Sequence, residues 1–229
     1  MKILSWNVER LKTQQKEKSN FIKDLINAEN PDIIYLTETN LNLDFGDEYF
    51  SLHSTALSNF HDNQDYTNQE NRTSIFSKYP FIQIFQTYDH HTAICGKIST
   101  EFGDLYLYGS IIRSFGGKDI YFENDLKNQK DDLMKLSGTI CYSGDFNISF
   151  SGFKYPSKKV IEETNQFFKT MEMKILTEEN ENCAIHIVLN KNFIEGKKTS
   201  TRMIEIPGKI SDHNAVISEI MENLEPTTY

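Results

Sequence analysis

Acidic and amide side chains occur in four short motifs, each after an apolar run of the chain. The motifs are Trp6-Asn7, Thr37-Glu38-Thr39, Gly144-Asp145-Phe146-Asn147 and Ser211-Asp212-His213. Carboxylate and amide oxygens are ligands that hard divalent cations prefer, and an ionised carboxylate can take a proton from water. The histidine adds a group whose charge changes near neutral pH. These are the group types that a metal-assisted hydrolytic site requires.

Taken singly, each motif has an ordinary structural explanation. Asn7 could cap a turn, Glu38 could be a surface acid, Asp145 could be a turn residue, and a Ser-Asp-His triplet is common in loops. The significance comes from all four motifs occurring in one chain, each where a predicted strand ends. We therefore interpret them as one constellation.

The elements that must position these motifs follow from the apolar pattern. Residues 2–6 predict a strand, and Phe21, Ile22, Leu25 and Ile26 recur at helical spacing. Residues 32–36 predict a buried strand that delivers Glu38 at its carboxyl end. The remaining predictions are strands at 74–77, 82–86, 93–98, 105–112, 139–143, 173–176, 184–189, 202–206 and 214–220, helices at 120–136 and 157–171, and a polar surface loop at 57–72.

Helices and strands alternate without an internal repeat, linker or change of composition. The pattern predicts one α/β domain over residues 1–221, followed by a polar tail over 222–229. Its expected architecture is a four-layered α/β sandwich, in which two mostly antiparallel sheets pack face to face with helices outside.

Composition limits the classes of function. The formal charge of −9 argues against tight, non-specific binding of duplex nucleic acid, although a bound cation could invert the local field. Three widely spaced cysteines predict reduced core thiols rather than disulfides. Because the first residues already predict a strand and no long apolar run follows, we expect neither a signal peptide nor a membrane span, and a cytoplasmic protein.

The four motifs, in this order, resemble those of the endonuclease/exonuclease/phosphatase superfamily. The resemblance extends from Ser-Trp-Asn at 5–7 to Ser-Asp-His-Asn-Ala-Val at 211–216. It includes Ser-Ile-Phe-Ser-Lys-Tyr-Pro at 74–80, which is similar to a strand and turn of the family. Residues 104–112 are similar to the strand that leads to the family's central active-site loop.

The resemblance implies a site residue by residue. Glu38 would bind Mg²⁺ or Mn²⁺, and Asn7 and Asp212 would complete or support that metal site. Asp145 would orient or deprotonate the attacking water. The remaining implied catalytic residues are Asn147, which would donate hydrogen bonds to Asp145 or to the phosphate, and His213, which would stabilise charge on the phosphate if protonated.

Two departures from the family pattern affect this interpretation. Ile185 stands where the family has an aspartate that supports the active-site histidine, so His213 would lack that partner unless Glu178, Glu179 or Glu181 replaced it. His186 is interpreted as a structural strand residue.

In the central loop, Ile111 or Ile112 stands where many relatives have a tyrosine or histidine. Arg113 is the candidate replacement as a catalytic and substrate-binding phosphate donor; the alternative is a solvated loop arginine. Losing such supporting groups typically costs about 10–100-fold in affinity or activity.

The sequence therefore predicts a metal-dependent phosphodiesterase, with single-stranded or structured nucleic acid as the first choice of substrate. A small phosphorylated molecule is the alternative substrate. The alternative from another class is a catalytically degenerate domain that binds nucleic acid or protein. Loops 40–73 and 113–121 are where substrate choice is expected to be made.

Overall fold

The computed structural model describes residues 1–223 of the chain. The predicted tail starts at Glu222, which is the last residue of a strand in the structure. Residues 224–229 of the tail lie outside the described residues.

Within the described residues, every predicted strand and helix is present, with ends shifted by a few residues. The elements are β1 (Lys2–Asn7), α1 (Lys16–Glu29), β2 (Ile33–Asn40), β3 (Phe50–His53), β4 (Phe60–His61), β5 (Gln64–Asp65), β6 (Glu70–Ser77), β7 (Gln83–Phe85), β8 (Ala93–Thr100), β9 (Gly103–Ile111), α2 (Ile120–Lys135), β10 (Ile140–Asp145), α3 (Lys158–Thr170), β11 (Met173–Ile175), β12 (Ile185–Asn190), α4 (Lys191–Ile194), β13 (Lys197–Ile204) and β14 (Ala215–Glu222).

The strands form two six-stranded sheets and a small hairpin within the described part of the chain. The first sheet has the order β13-β14-β1-β2-β6-β3, the second has the order β11-β12-β10-β9-β8-β7, and β4 pairs with β5. Only β1 with β2 and β9 with β10 run parallel among the described pairs. The predicted, mostly antiparallel character of both sheets is confirmed.

Three apolar clusters define four layers. The inner faces of the sheets share one cluster, to which Ile3, Tyr35 and Ile75 contribute from the first sheet and Cys141 and Ile187 from the second. A second cluster joins the first sheet to α1, and a third joins the second sheet to α2 and α3. The order is therefore helix, sheet, sheet, helices, as predicted.

The prediction of a surface loop over 57–72 is wrong in part. The segment contains the β4–β5 hairpin and the start of β6, whose Glu70, Asn71 and Arg72 are buried. Strands of two residues are too short to give a periodic pattern. Glu70 and Arg72 also resemble surface residues in sequence, whereas in the fold each is paired with an opposite charge.

The three cysteines are buried free thiols, as predicted. Among residues 1–223, no helix is both long enough and apolar enough to cross a membrane.

Candidate active site

The carboxyl ends of β1 and β10 meet where the two sheets face each other. Asn7 ends β1 in the first sheet, and Asp145 ends β10 in the second. The Asn7 Nδ2 donates a hydrogen bond of 2.8 Å to Asp145 Oδ2, and both side chains are buried. Two motifs that lie 138 residues apart in sequence are thus joined by one hydrogen bond across the sheets.

Glu38 interrupts the pairing of β2 with β6. Its neighbours Thr37 and Thr39 pair with Thr73 and Asn71, while Glu38 adopts a left-handed backbone with φ of +55°. A non-glycine residue in this region costs of order 1–3 kcal/mol and persists where the surrounding structure enforces it. Here the Glu38 carbonyl accepts a hydrogen bond of 2.9 Å from the Leu11 amide.

The charge of Asp145 acts on the Glu38 carboxylate. Burial raises the pKa of Glu38, and the charge of Asp145 raises it further, while the Asn7 amide and the charges of His213 and Arg10 oppose the rise. The charges of the two carboxylates repel each other, and the Asn7 amide, His213 and Arg10 compensate for this repulsion only in part.

The segment after β10 has a backbone that its residue types allow. Gly144 has φ of +143°, and a Cβ at this position would lie 1.9 Å from the Ser110 carbonyl oxygen, so no larger residue fits. Asn147 is left-handed, with φ of +49°, a conformation that asparagine tolerates. Its backbone N–H donates to Asp145 Oδ1 at 3.0 Å, and its Nδ2 donates to the Ile112 carbonyl at 2.9 Å.

Asp145 thus accepts one hydrogen bond on each carboxylate oxygen. Burial raises its pKa, while the charge of His213 and the bonds from Asn7 and Asn147 oppose the rise. A raised pKa lies closer to neutral pH, and a general base is most effective when its pKa is near the pH at which the enzyme works.

The Ser-Asp-His loop is fastened to β1. Ser211 Oγ donates to the Asn7 carbonyl at 2.8 Å, and the His213 amide donates to Ser211 Oγ at 3.1 Å. The Trp6 indole N–H donates to the His213 carbonyl at 3.0 Å. These bonds explain why the first and last motifs, separated by 204 residues, form one site.

His213 lies between two aspartates. Its Nε2 is 3.9 Å from Asp145 Oδ2 and 3.5 Å from Asp212 Oδ1. The His213 side chain is one quarter exposed, whereas that of Asp212 is 69% exposed. The histidine therefore faces the carboxylate pair from the solvent side.

Ile185 is an apolar core residue. It pairs with Asp145 in the sheet and packs in the cluster between the two sheets. Within the described residues, Glu178, Glu179 and Glu181 are exposed and make no ion pair with His213. The carboxylate missing from β12 is therefore not replaced by any of these three.

His186 has the structural surroundings that were predicted for it. It is fully buried, with Nδ1 2.9 Å from Thr177 Oγ1 and Nε2 2.9 Å from the Ile148 carbonyl. Burial lowers its pKa to about 4, so the imidazole is neutral at physiological pH.

The donor set fits a hard divalent cation that keeps most of its water. Among residues 1–223 no group of three or more histidine, cysteine, aspartate or glutamate side chains is arranged to hold a metal. Mg²⁺ is commonly bound through only one or two carboxylates, because it retains several waters. Glu38 beside the Asn7 carboxamide meets that requirement, and the repulsion between Glu38 and Asp145 would be relieved by a cation.

Lys18 is a charged group near the site that the sequence did not single out. It lies on the buried face of α1 with Ile22 and Ile26, and its Nζ donates to the Glu9 carbonyl at 2.8 Å. Burial lowers its pKa, opposed by the charges of Glu9, Glu38 and Asp212. The detectable signal was its helical spacing from Ile22 and Ile26, which places a lysine on an apolar face.

Arg113 faces the site but most of its donors are occupied. Nε and Nη2 donate to the Asp125 carboxylate at 2.7 and 2.5 Å, and Nη1 donates to Asp62 Oδ2 at 2.6 Å. Arg72 Nη2 donates to the same Asp62 oxygen at 2.6 Å. A phosphate contact from the two remaining N–H groups of Arg113 stays a prediction.

A cavity of about 200 Å³ opens beside Glu38 and Asn147. Residues from the β4–β5 hairpin, the start of β6 and the loop after β9 line it, so both loops expected to choose the substrate contribute. Three arginines and Glu70 line one side of the cavity, and Asp62 and Asp125 bind two of these arginines from outside the lining. This group is called the arginine wall below: Arg10, Arg72, Arg113, Asp62, Glu70 and Asp125.

Solved structures share this fold across nearly the whole chain. The AP endonuclease LMAP from Leishmania major matches with a TM-score of 0.71 and 11% identity, over 97% of this chain and 87% of that one. TDP2 from D. rerio, complexed with single strand DNA product, matches with a TM-score of 0.70 and 13% identity, over 95% and 97%. An endonuclease/exonuclease/phosphatase from Beutenbergia cavernae DSM 12333 matches with a TM-score of 0.68 and 12% identity, over 97% and 71%.

No family model and no curated protein matches the chain by sequence. The chain nevertheless has the fold of endonuclease/exonuclease/phosphatase structures, which is the fold that the resemblance of the motifs implied.

Proposed function

We propose, from the endonuclease/exonuclease/phosphatase fold and the site it carries, that this protein is a divalent-metal-dependent phosphodiester hydrolase, and first of all a nuclease. The observation that carries the proposal is Asp145 at the meeting point of the two sheets, hydrogen-bonded to Asn7 at 2.8 Å, with its charge acting on the Glu38 carboxylate. Both pKa values are raised by burial, and a histidine faces the pair. Unrelieved negative charge in a half-open site supports a function that needs a cation.

Glu38 would hold Mg²⁺ or Mn²⁺, supported by the carboxamide oxygen of Asn7 and, from the exposed loop, by Asp212. When bound, such an ion polarises a phosphoryl oxygen and stabilises the departing oxygen. The Asn7 oxygen already accepts a hydrogen bond of 2.8 Å from the Glu9 amide, which fixes the carboxamide's orientation.

Asp145 would hold the attacking water and receive its proton during in-line attack. Its two oxygens are fixed by Asn7 and Asn147, so the carboxylate has one orientation and cannot swing away. Positioning of this kind lowers the entropic part of the barrier. Asn147 retains one amide N–H for a phosphate oxygen, since its other N–H is bound to Ile112.

His213 would donate to a non-bridging phosphate oxygen as charge accumulates in the transition state. It lies on the solvent side of Asp145, where a phosphate would enter. β12 offers no carboxylate to His213; among residues 1–223, its ion-pair contacts are with Asp145 and Asp212.

Single-stranded or structured nucleic acid is the proposed substrate. The net charge of −9 disfavours a long duplex, whose recognition relies on many phosphate contacts. TDP2 from D. rerio, whose structure has this fold, was solved in complex with single strand DNA product, and this supports the proposal. The enclosed cavity beside Glu38 favours a small phosphorylated molecule as the second candidate.

The test is cleavage of labelled single-stranded and duplex DNA, RNA, an abasic-site duplex and a simple phosphodiester ester, each with Mg²⁺, Mn²⁺ or EDTA. Glu38→Ala and Asp145→Ala should each abolish cleavage. Glu162→Ala, on the exposed face of α3, serves as the control and should not.

Cleavage of the simple ester alone would transfer the assignment to a small-molecule phosphodiesterase. No turnover of any substrate by folded protein would favour a degenerate binding domain, the reading that Ile185 supports.

A further inference from the structure

The cavity beside the carboxylate pair shares Glu38, Asn147 and Arg113 with the chemistry described above, but that chemistry gives no role to the rest of its lining. Glu38 and Asn147 belong both to the cavity and to the proposed reaction site, and Gln64, Tyr66 and Phe115 also line the cavity. A group attached to the phosphate would therefore have to enter this space or turn away from it.

The charge of the cavity argues against a second phosphate. Arg10 Nε is 3.0 Å from Glu70 Oε2, Arg72 shares Asp62 with Arg113, and Arg113 is also bound to Asp125. Each guanidinium is therefore already neutralised by a carboxylate in the arginine wall. A neutral group suits this wall, because it does not have to break existing ion pairs.

The lining offers flat surfaces. The Arg10 and Arg72 guanidinium groups lie 4.5 and 5.9 Å from the centre of the Tyr66 ring, and Phe115, on the loop after β9, is 42% exposed. Guanidinium planes and aromatic rings are the surfaces on which unstacked nucleobases rest. Gln64 adds an amide that can both donate and accept hydrogen bonds at a ring edge.

The size of the cavity sets an upper limit on its ligand. At about 200 Å³ it is smaller than the ~300–1,000 Å³ typical of pockets that enclose drug-sized molecules. One planar ring system fits this volume, whereas a stacked base pair does not.

We propose that this cavity is a nucleobase subsite, which takes the base of the nucleotide next to the scissile phosphate. The inference rests on the proposed phosphodiesterase function and deepens it, because it names the part of the substrate that the enzyme reads. A base can enter only after leaving its stack, so the subsite selects single-stranded or unpaired nucleotides.

The cavity wall is held in shape before the ligand arrives. Asp62, at the turn of the β4–β5 hairpin, accepts hydrogen bonds of 2.6 Å from both Arg72 and Arg113. Arg10 Nη2 donates to the Asp65 carbonyl at 2.5 Å. A pre-formed wall reduces the entropy lost when the base is bound.

A binding experiment tests the subsite without requiring turnover. Calorimetry in Mg²⁺ compares the four nucleoside 5′-monophosphates with ribose 5-phosphate on the intact chain. Base stacking is worth about 1–3 kcal/mol, so at least one nucleotide should bind about 5- to 150-fold more tightly than the sugar phosphate. Equal dissociation constants, or no binding of any nucleotide, would overturn the proposal.

Variants locate the effect in the cavity. Tyr66→Ala should remove the preference for nucleotides, and Tyr66→Phe, which keeps the ring, should restore it. Phe60→Ala is the matched control, because Phe60 is a 62% exposed aromatic residue on the same hairpin that does not line the cavity. An equal loss in Phe60→Ala and Tyr66→Ala would show that the hairpin, rather than the ring, is responsible, and would contradict the subsite.

A second experiment joins the subsite to catalysis. Single-stranded oligonucleotides with one abasic residue at successive positions should lose about 5- to 150-fold in kcat/KM at the phosphate beside that residue. Tyr66→Ala should cleave the normal and abasic strands equally. Cleavage without any effect of the missing base overturns the subsite alone, whereas base-dependent binding without cleavage overturns the hydrolase and leaves the subsite in place.

Discussion

The carboxylate pair and the arginine wall contain similar buried charged groups but differ in how those charges are balanced. In the arginine wall, Asp62 and Asp125 are each hydrogen-bonded to at least one guanidinium. In the carboxylate pair, Asp145 is bound by two amide N–H groups and faces His213 at 3.9 Å, and within residues 1–223 it has no lysine or arginine in ion-pair contact.

The difference separates what stabilises this fold from what makes it reactive. A balanced buried network fixes geometry, and removing one member leaves an uncompensated charge. Repulsion within an unbalanced pair destabilises the free protein, and a bound cation removes that repulsion. We therefore expect substitutions in the pair to act mainly on kcat, and those in the wall to act mainly on stability and on substrate binding.

The largest expected effect is on turnover. Asp145→Asn keeps the shape of the side chain but removes the proton acceptor, so kcat should fall about 10²–10⁴-fold. Asp62→Asn, in the arginine wall, should change kcat by less than about tenfold while lowering Tm. The two variants are compared by initial rates in Mg²⁺ and by thermal unfolding. Equal losses of kcat would break the distinction between the two regions.

The arginine wall should give the largest change of stability. Arg113→Ala leaves the fully buried Asp125 without its partner, which typically costs about 3–5 kcal/mol. For a chain of this size, Tm should fall by roughly 6–20 °C. Arg202→Ala is the control, since Arg202 forms an exposed pair with Glu29 and should change the free energy of unfolding by at most about 1 kcal/mol. A similar Tm for both variants would show that the wall contributes little to stability.

Restoring a carboxylate on β12 tests the support of the histidine. Ile185→Asp places an acid beside the carboxyl end of β10, and a nearby carboxylate favours the protonated imidazole. Activity should then persist to higher pH than in the natural chain, with a gain of up to about 10–100-fold on the alkaline side. Ile185→Asn, polar but uncharged, controls for the loss of apolar packing. The same pH profile for both variants would show that this position does not act through His213.

The smallest expected effect is a stabilisation of the metal-free protein. The pKa of Glu38 is higher in the folded state than in the unfolded chain, so folded Glu38 keeps its proton to a higher pH. The free energy of unfolding therefore falls as pH rises between the unfolded and folded pKa values. Glu38→Gln removes the repulsion with Asp145 and should stabilise the protein at pH 7 by roughly 0.5–2 kcal/mol, with a gain that disappears below about pH 4.

Thermal unfolding with EDTA and with Mg²⁺ measures this effect. Mg²⁺ should raise the Tm of the natural chain and leave that of Glu38→Gln nearly unchanged, because only a ligand of the folded state stabilises it. A variant less stable than the natural chain in EDTA would show that Glu38 is not under electrostatic strain.

Sequence by itself determined the order of the long elements and the four motifs. Apolar runs such as 33–36 and 140–143 are long enough to predict strands. Because their residues are apolar, the sequence also predicts that these strands are buried in the sheets. The motifs could be found because strand ends deliver side chains to a common edge. Asn7, Glu38, Asp145 and His213 do converge, with hydrogen bonds or close approaches linking them.

Only the tertiary structure determined the arginine wall and the cavity that its arginines line. Arg10, Arg72 and Arg113 are separated by tens of residues. Their carboxylate partners lie in the turn of the β4–β5 hairpin, at the start of β6 and in α2. Isolated charges in sequence look like solvated surface, because nothing local indicates that an opposite charge will meet them. Their burial depends on which loops the two sheets bring together, and that is a property of packing rather than of local pattern.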